Sequence, residues 1–110
     1  SMKKVLIIDD EEDLGIILTN YFTQKKYQVY ISYTIEDGMK VLEKEQPDYI
    51  FLDNNLPDGS GWIKTNYILS NFPKTQLHLI SAFNVPKTSA TNFRILEKPL
   101  SLLELDQLFE

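Results

Sequence analysis

The residues of this chain best placed to do chemistry are three aspartates, each at the end of an apolar run. Tyr49-Ile50-Phe51-Leu52 leads straight into Asp53, and Pro57, Gly59 and Gly61 then break the pattern before the next amphipathic stretch. Val5-Leu6-Ile7-Ile8 leads in the same way into Asp9-Asp10. Apolar runs of this length with β-branched residues read as buried strands, and a buried parallel strand delivers its last residue to the carboxyl edge of the sheet, where open α/β sheets hold their ligands. If the two strands are neighbours, the three acids meet. Acids gathered without a cation repel one another, so the pattern predicts a bound metal or raised carboxyl pKa values.

The remaining chain supplies elements able to position them. Leu14, Ile17, Leu18, Tyr21 and Phe22 share one helical face, with Asp10 and Asp13 resembling a capping pair ahead of it. Gly15 inside that helix either leaves room for a partner or marks loose packing. Gln28 to Ser32 is a second strand, Ile35, Met39 and Leu42 mark a second helix ended by Gln46-Pro47, and Tyr49 to Asp53 is the third strand. Trp62, Ile63, Asn66, Tyr67 and Phe72 step helically, so a third helix is expected from near Ser60 to Pro73. Leu77 to Ser81 and Phe93 to Leu96 are the fourth and fifth strands, and Leu102, Leu105, Leu108 and Phe109 stripe a closing helix. His78 lies within the fourth strand; with no second histidine in the chain, it reads as an ordinary strand residue. The segment from Ala82 to Asn92 has little periodicity and contains Pro86, so a fourth helix is expected to be short or absent. Strand and helix alternate throughout, which argues for an α/β fold with a five-stranded parallel sheet in flavodoxin-like order 2-1-3-4-5 and helices on both faces. That order brings Asp9, Asp10 and Asp53 together.

Composition narrows the function classes. With 110 residues, the chain reads as a single domain over 1–110, Ser1 having the look of a tag remnant. No cysteine is present, which excludes disulfides and thiolate metal sites, and a cytoplasmic location is the simple expectation. No apolar run reaches membrane-spanning length, and no signal-peptide pattern opens the chain. The net charge is −5 without a basic cluster, which argues against direct nucleic-acid binding. Taken alone, the acidic run from Asp9 to Asp13 would read as a solvated helix start.

Taken together, Asp9-Asp10 after strand 1, Asp53 with Pro57 and Gly61 following, Ser81-Ala82 after strand 4 and Lys98-Pro99 after strand 5 resemble the receiver domain of bacterial two-component response regulators. The resemblance covers nearly the whole chain. It implies a signalling domain rather than an enzyme, with Asp53 as phosphoacceptor from a phosphohistidine on a sensor histidine kinase or phosphotransfer domain. Mg²⁺ would be held by Asp10 directly, by Asp9 partly through water, by Asp53 and by the backbone carbonyl of Asn55. Ser81 and Lys98 would contact phosphoryl oxygens. Such chemistry needs positioning and charge neutralisation above all. Three carboxylates, one Mg²⁺ and Lys98 leave the site neutral, and Mg²⁺ accepts a few protein oxygens completed by water. Partners would include a downstream output domain or protein.

Two other readings compete. A receiver-like module could act by binding alone, without phosphorylation. A small Mg²⁺-dependent phosphohydrolase fits less well, because Asn55 stands where a second acid would act and no cap insertion is present. By the resemblance, Asn55 and Phe83 flank the approach of hydrolytic water, and an apolar Phe83 predicts a long-lived phosphoryl group. The family's switch places an aromatic three residues before the lysine; here that position is Ile95, with Phe93 two residues earlier, so the aromatic swing is expected to be impaired. Signal exit is therefore expected to avoid the usual dimer through the fourth and fifth helices and to use the first helix and Pro99-Leu100.

Overall fold

The computed structural model describes residues 2–82 and 92–109. Strands β1 (Lys4–Ile8), β2 (Gln28–Ser32), β3 (Tyr49–Asp53), β4 (Gln76–Ser81) and β5 (Phe93–Glu97) form one parallel sheet in the order β2-β1-β3-β4-β5. The expected five strands and their order are those observed. Helices α1 (Glu12–Gln24), α2 (Ile35–Glu45), α3 (Thr65–Asn71) and α4 (Leu102–Phe109) cover it. The expectation for a helix between β4 and β5, and the placement of Phe83, fall on 83–91, outside the described residues.

The sheet is buried on both faces because its central strands are apolar at successive positions. Val5, Ile7, Phe51 and Ile80 face a layer with Leu14, Leu18 and Phe22 of α1 and Leu105 and Phe109 of α4. Leu6, Ile8, Ile50, Leu52, Leu77 and Leu79 face the other layer with Ile35 and Leu42 of α2 and Ile68 of α3. Alternation along each strand divides the residues between the two cores. Helix α2 ends at Gln46, whose φ of 45° is left-handed and whose N–H donates to the Leu42 carbonyl.

Several details differ from the sequence reading. Ile17 shares the periodic face of α1 yet is 47% exposed, and Ile63 is 73% exposed. Leu14, Leu18 and Phe22, at four-residue steps, are the side chains of α1 buried in the layer with Val5 and Ile7, and Tyr21 packs beside them. Ile63 lies on a 3₁₀ turn, Gly61–Lys64, that precedes α3; three residues per turn rotate it off the helical face. The capping pair of Asp10 and Asp13 does not form. Glu11 is the N-cap and makes no side-chain cap bond, while Asp9 accepts from the Glu11 N–H at 2.9 Å. Gly15 is buried, but a Cβ there would meet Ile31 at an ordinary 3.5 Å, so packing does not demand glycine. His78 is an interior strand residue, stacked on Phe51 with ring centroids 5.1 Å apart.

Candidate functional site

The carboxyl ends of β1, β3, β4 and β5 converge on one place. The parallel registers Ile8↔Leu52 and Asp53↔Ile80 put the residues after β1 beside the end of β3, and Ser81↔Glu97 puts Lys98 beside the end of β4. The Lys98 N–H donates to the Ser81 carbonyl at 2.8 Å, and the Asp9 N–H to the Ser32 carbonyl at 3.1 Å, so each loop leaves its strand in a fixed direction. Carboxylate oxygens of Asp9, Asp10 and Asp53 all lie within 4.8 Å of one another. Asp9 and Asp53 are buried and Asp10 is exposed, which leaves the cluster open on Asp10's side.

Lys98 is the cation of the site. Its Nζ is 2.9 Å from Asp9 Oδ2, 3.3 Å from Asp53 Oδ1 and 3.9 Å from Glu11 Oε2. Asp9 Oδ2 is buried and accepts no well-aligned hydrogen bond from the described residues, so Lys98 meets it as an ion pair. Burial works against the ammonium, but Asp9 and then Asp53 outweigh it and raise the Lys98 pKa. Burial, followed by the Asp9 charge, raises the Asp53 carboxyl above the ordinary range; Lys98 and the Asn55 N–H offset only part of this. One lysine thus serves two buried carboxylates incompletely. All the nearby acidic donors are oxygens, one of them open to solvent, and together they carry more charge than Lys98 cancels. That donor set fits a hard divalent cation such as Mg²⁺.

Of the other expected site residues, Ser81 is buried at the end of β4. Asn55 begins a two-residue hairpin, Asn55–Leu56 against Gly59–Ser60, that directly follows β3. Gly61 closes this loop against Asp53: a Cβ there would overlap the Asp53 carbonyl oxygen, and the Gly61 N–H donates to the Asn54 carbonyl at 3.1 Å. Ile95 is half-buried, and both it and Phe93 pack on the α2/α3 core layer. Two contributors were not singled out from sequence. Glu11, beside Lys98, was hidden in an acidic run that reads as a helix start. Asp58 sits in a Pro-Asp-Gly turn, yet its carboxylate reaches across to α2.

Residues 5–110 match the response regulator receiver domain family. The chain belongs to it. Over 113 aligned residues, 98% of this chain and 25% of the relative, it is 31% identical to the response regulator protein PilR of Pseudomonas aeruginosa. This receiver domain spans about a quarter of the length of the curated relatives it matches. A two-component response regulator from Clostridium difficile superposes with a TM-score of 0.84 at 26% identity, over 97% of this chain and 92% of that one. Response regulator protein TrrA from Thermotoga maritima, in complex with Mg²⁺–BeF, has the same fold with a TM-score of 0.83 at 20% identity, over 97% of this chain and 96% of that one.

Proposed function

We propose that this receiver domain takes a phosphoryl group onto Asp53 from a phosphohistidine of a histidine kinase or phosphotransfer domain, and passes the signal to an output domain or protein. The observation that carries the reading is the placement of Asp53: buried at the end of the central strand, it shares oxygens within 4.8 Å with Asp9 and Asp10 and has an ammonium 3.3 Å away.

In the transfer, an Asp53 carboxylate oxygen forms a bond to phosphorus while the bond from phosphorus to the donor's imidazole nitrogen breaks. The electron pair leaves with that nitrogen, which takes up a proton. The attacking group is the Asp53 carboxylate, which needs no general base, and the Lys98 ammonium 3.3 Å away favours that charged form. Lys98 neutralises charge on the transferred group, and Ser81 donates to another phosphoryl oxygen. Asp9, Asp10, Asp53 and the Asn55 carbonyl would hold Mg²⁺, which when bound draws charge from the phosphoryl oxygens. TrrA, complexed with Mg²⁺–BeF, supports the same use of this fold.

Incubation with acetyl phosphate and Mg²⁺, read by intact mass, tests the proposal. A gain of one phosphoryl group, lost in Asp53→Asn, is expected. No gain in the folded wild-type domain overturns it and favours a module that binds without phosphorylation.

A further inference from the structure

A helix leaves its first N–H groups without partners inside the helix. In α2 each of these donors has one, and the sources differ. Thr34 supplies the local pair: its Oγ1 accepts from the Asp37 N–H at 3.1 Å and its carbonyl from the Gly38 N–H at 3.0 Å. The first two come from a distant loop. Asp58 Oδ1 accepts from the Ile35 N–H at 2.9 Å and Oδ2 from the Glu36 N–H at 3.1 Å, across 23 and 22 residues of chain. The Ile35 N–H bond, against a smaller opposing effect of burial, holds the Asp58 carboxyl below its ordinary pKa.

Asp58 lies at the tip of the hairpin whose other end is Asn55. Leu56 and Ile35 are buried in the same core layer, and Gly59, at φ 134°, leaves its Cα face within reach of the Ile35 Cδ1. The hairpin is therefore seated on the first turn of α2 by a bidentate cap and an apolar contact. At its base the hairpin is held against the end of β3, with the Gly61 N–H donating to the Asn54 carbonyl at 3.1 Å, and the Asn55 N–H favours the charged form of Asp53. With four residues paired in two bridges, displacement at the Asp58 end is passed to the Asn55 end.

We propose that Asp58 is a positioning residue: its cap on α2 holds the hairpin where Asn55 serves the Asp53 site, and so couples the first turn of α2 to occupancy of that site. This rests on the reading of Asp53 as the Mg²⁺-assisted phosphoacceptor. Coupling of this kind is reciprocal. An occupied site secures the hairpin and with it the Ile35 and Glu36 N–H bonds, while loss of the cap loosens the hairpin and weakens the site.

The test uses the 110-residue domain with Asp58→Ala, Asp58→Asn and Thr34→Ala, at a temperature where circular dichroism finds each folded. Mg²⁺ binding is titrated calorimetrically, and amide exchange is followed at residues 35 and 36 with and without Mg²⁺ and beryllofluoride. Asp58→Ala should weaken Mg²⁺ about tenfold, the lower end of the loss typical when groups that orient a metal's ligands are removed. Asp58→Asn, which keeps a capping oxygen, should recover much of it. Thr34→Ala removes the local cap only, so it should lower stability and leave Mg²⁺ affinity within about twofold. In the wild type, exchange at Ile35 and Glu36 should slow on loading, and in Asp58→Ala it should not. Unchanged Mg²⁺ affinity in Asp58→Ala, or an equal loss in Thr34→Ala, overturns the positioning role while leaving the phosphoacceptor reading intact. A wild-type domain that binds no Mg²⁺ overturns the site reading itself. Should Asp58→Ala fail to fold, wild-type exchange at residues 35 and 36 that ignores loading overturns the coupling.

Discussion

Two buried ionisable regions flank the same sheet, and they solve the problem of burial in opposite ways. At its carboxyl edge, Lys98 keeps its charge because Asp9 and Asp53 lie beside it and raise its pKa, with Asp10 nearby. Within the α1/α4 layer, His78 is enclosed by Phe51, Phe109 and Tyr49, with ring centroids at 5.1, 5.2 and 6.2 Å, and gives up its charge. Burial, with Arg94 adding to it, lowers the His78 pKa to about 4. Among the described residues no acid acts on the histidine to stabilise a proton, and its Nδ1 finds no hydrogen-bond partner. Charge therefore persists in this interior where a counter-charge was built beside it. The edge keeps its charge for chemistry, and the layer gives its charge up for packing.

The largest test of that contrast is acidification. In the unfolded chain the histidine pKa is near 6.5, whereas in the native state it is about 4. Below pH 6.5 the unfolded chain binds a proton that the native state refuses, so stability falls as pH falls towards 4 and levels off below it. The loss is on the order of 3 kcal/mol. His78→Phe keeps an aromatic ring against Phe51 and removes the titration, so urea unfolding between pH 4 and 7 should show a flatter profile in the variant. Parallel profiles would mean that carboxylates alone set the acid sensitivity.

At the edge, the effect has the other sign. Because burial and Asp9 raise the Asp53 pKa, the folded state is penalised for the Asp53 charge above that pKa, and the penalty is relieved as pH falls. Asp53→Asn removes one charge and keeps the shape. The apo domain should gain stability at pH 7, because the charge that burial and Asp9 disfavour is gone. Thermal unfolding in chelator measures it, and a destabilised variant would show that Lys98 already compensates Asp53 in full.

Much of this contrast was legible in the sequence, because it depends on strand ends. Uninterrupted apolar runs marked β1 and β3, and the side on which each run met a charge placed Asp9, Asp10 and Asp53 at one edge. His78 read as an ordinary strand residue, but its aromatic enclosure was not legible, since Phe51 and Phe109 reach it through sheet register and helix packing. The hairpin after β3 was hidden for a different reason. Two-residue strands carry no periodicity, and the Pro57-Asp58-Gly59 turn has the composition of any loop. Asp58 bonds a helix more than twenty residues earlier, and no local pattern encodes such a partner. The exposure of Ile17 escaped because helical period ranks the faces of a helix but does not say how wide a buried face is, and that of Ile63 because the 3₁₀ turn Gly61–Lys64 breaks the period.

The smallest expected effect joins the two halves of the argument about the edge. If Asp9, Asp10 and Asp53 exceed what Lys98 can neutralise, Mg²⁺ should stabilise the wild-type fold by relieving the excess. Binding will be weak, because few protein oxygens are offered and Mg²⁺ gives up its waters reluctantly. At ten times the dissociation constant, mass action gives about 1.4 kcal/mol. Asp10→Ala and Asp53→Asn should each lose this increment. They differ in the apo state, where removing the exposed Asp10 changes little and removing the buried Asp53 charge stabilises. Trp62 fluorescence, or the shift of the thermal midpoint with Mg²⁺, reads the increment. An equal Mg²⁺ shift in the wild type and in both variants would place the ion elsewhere, and the three aspartates would then be an acidic cluster balanced by Lys98 alone.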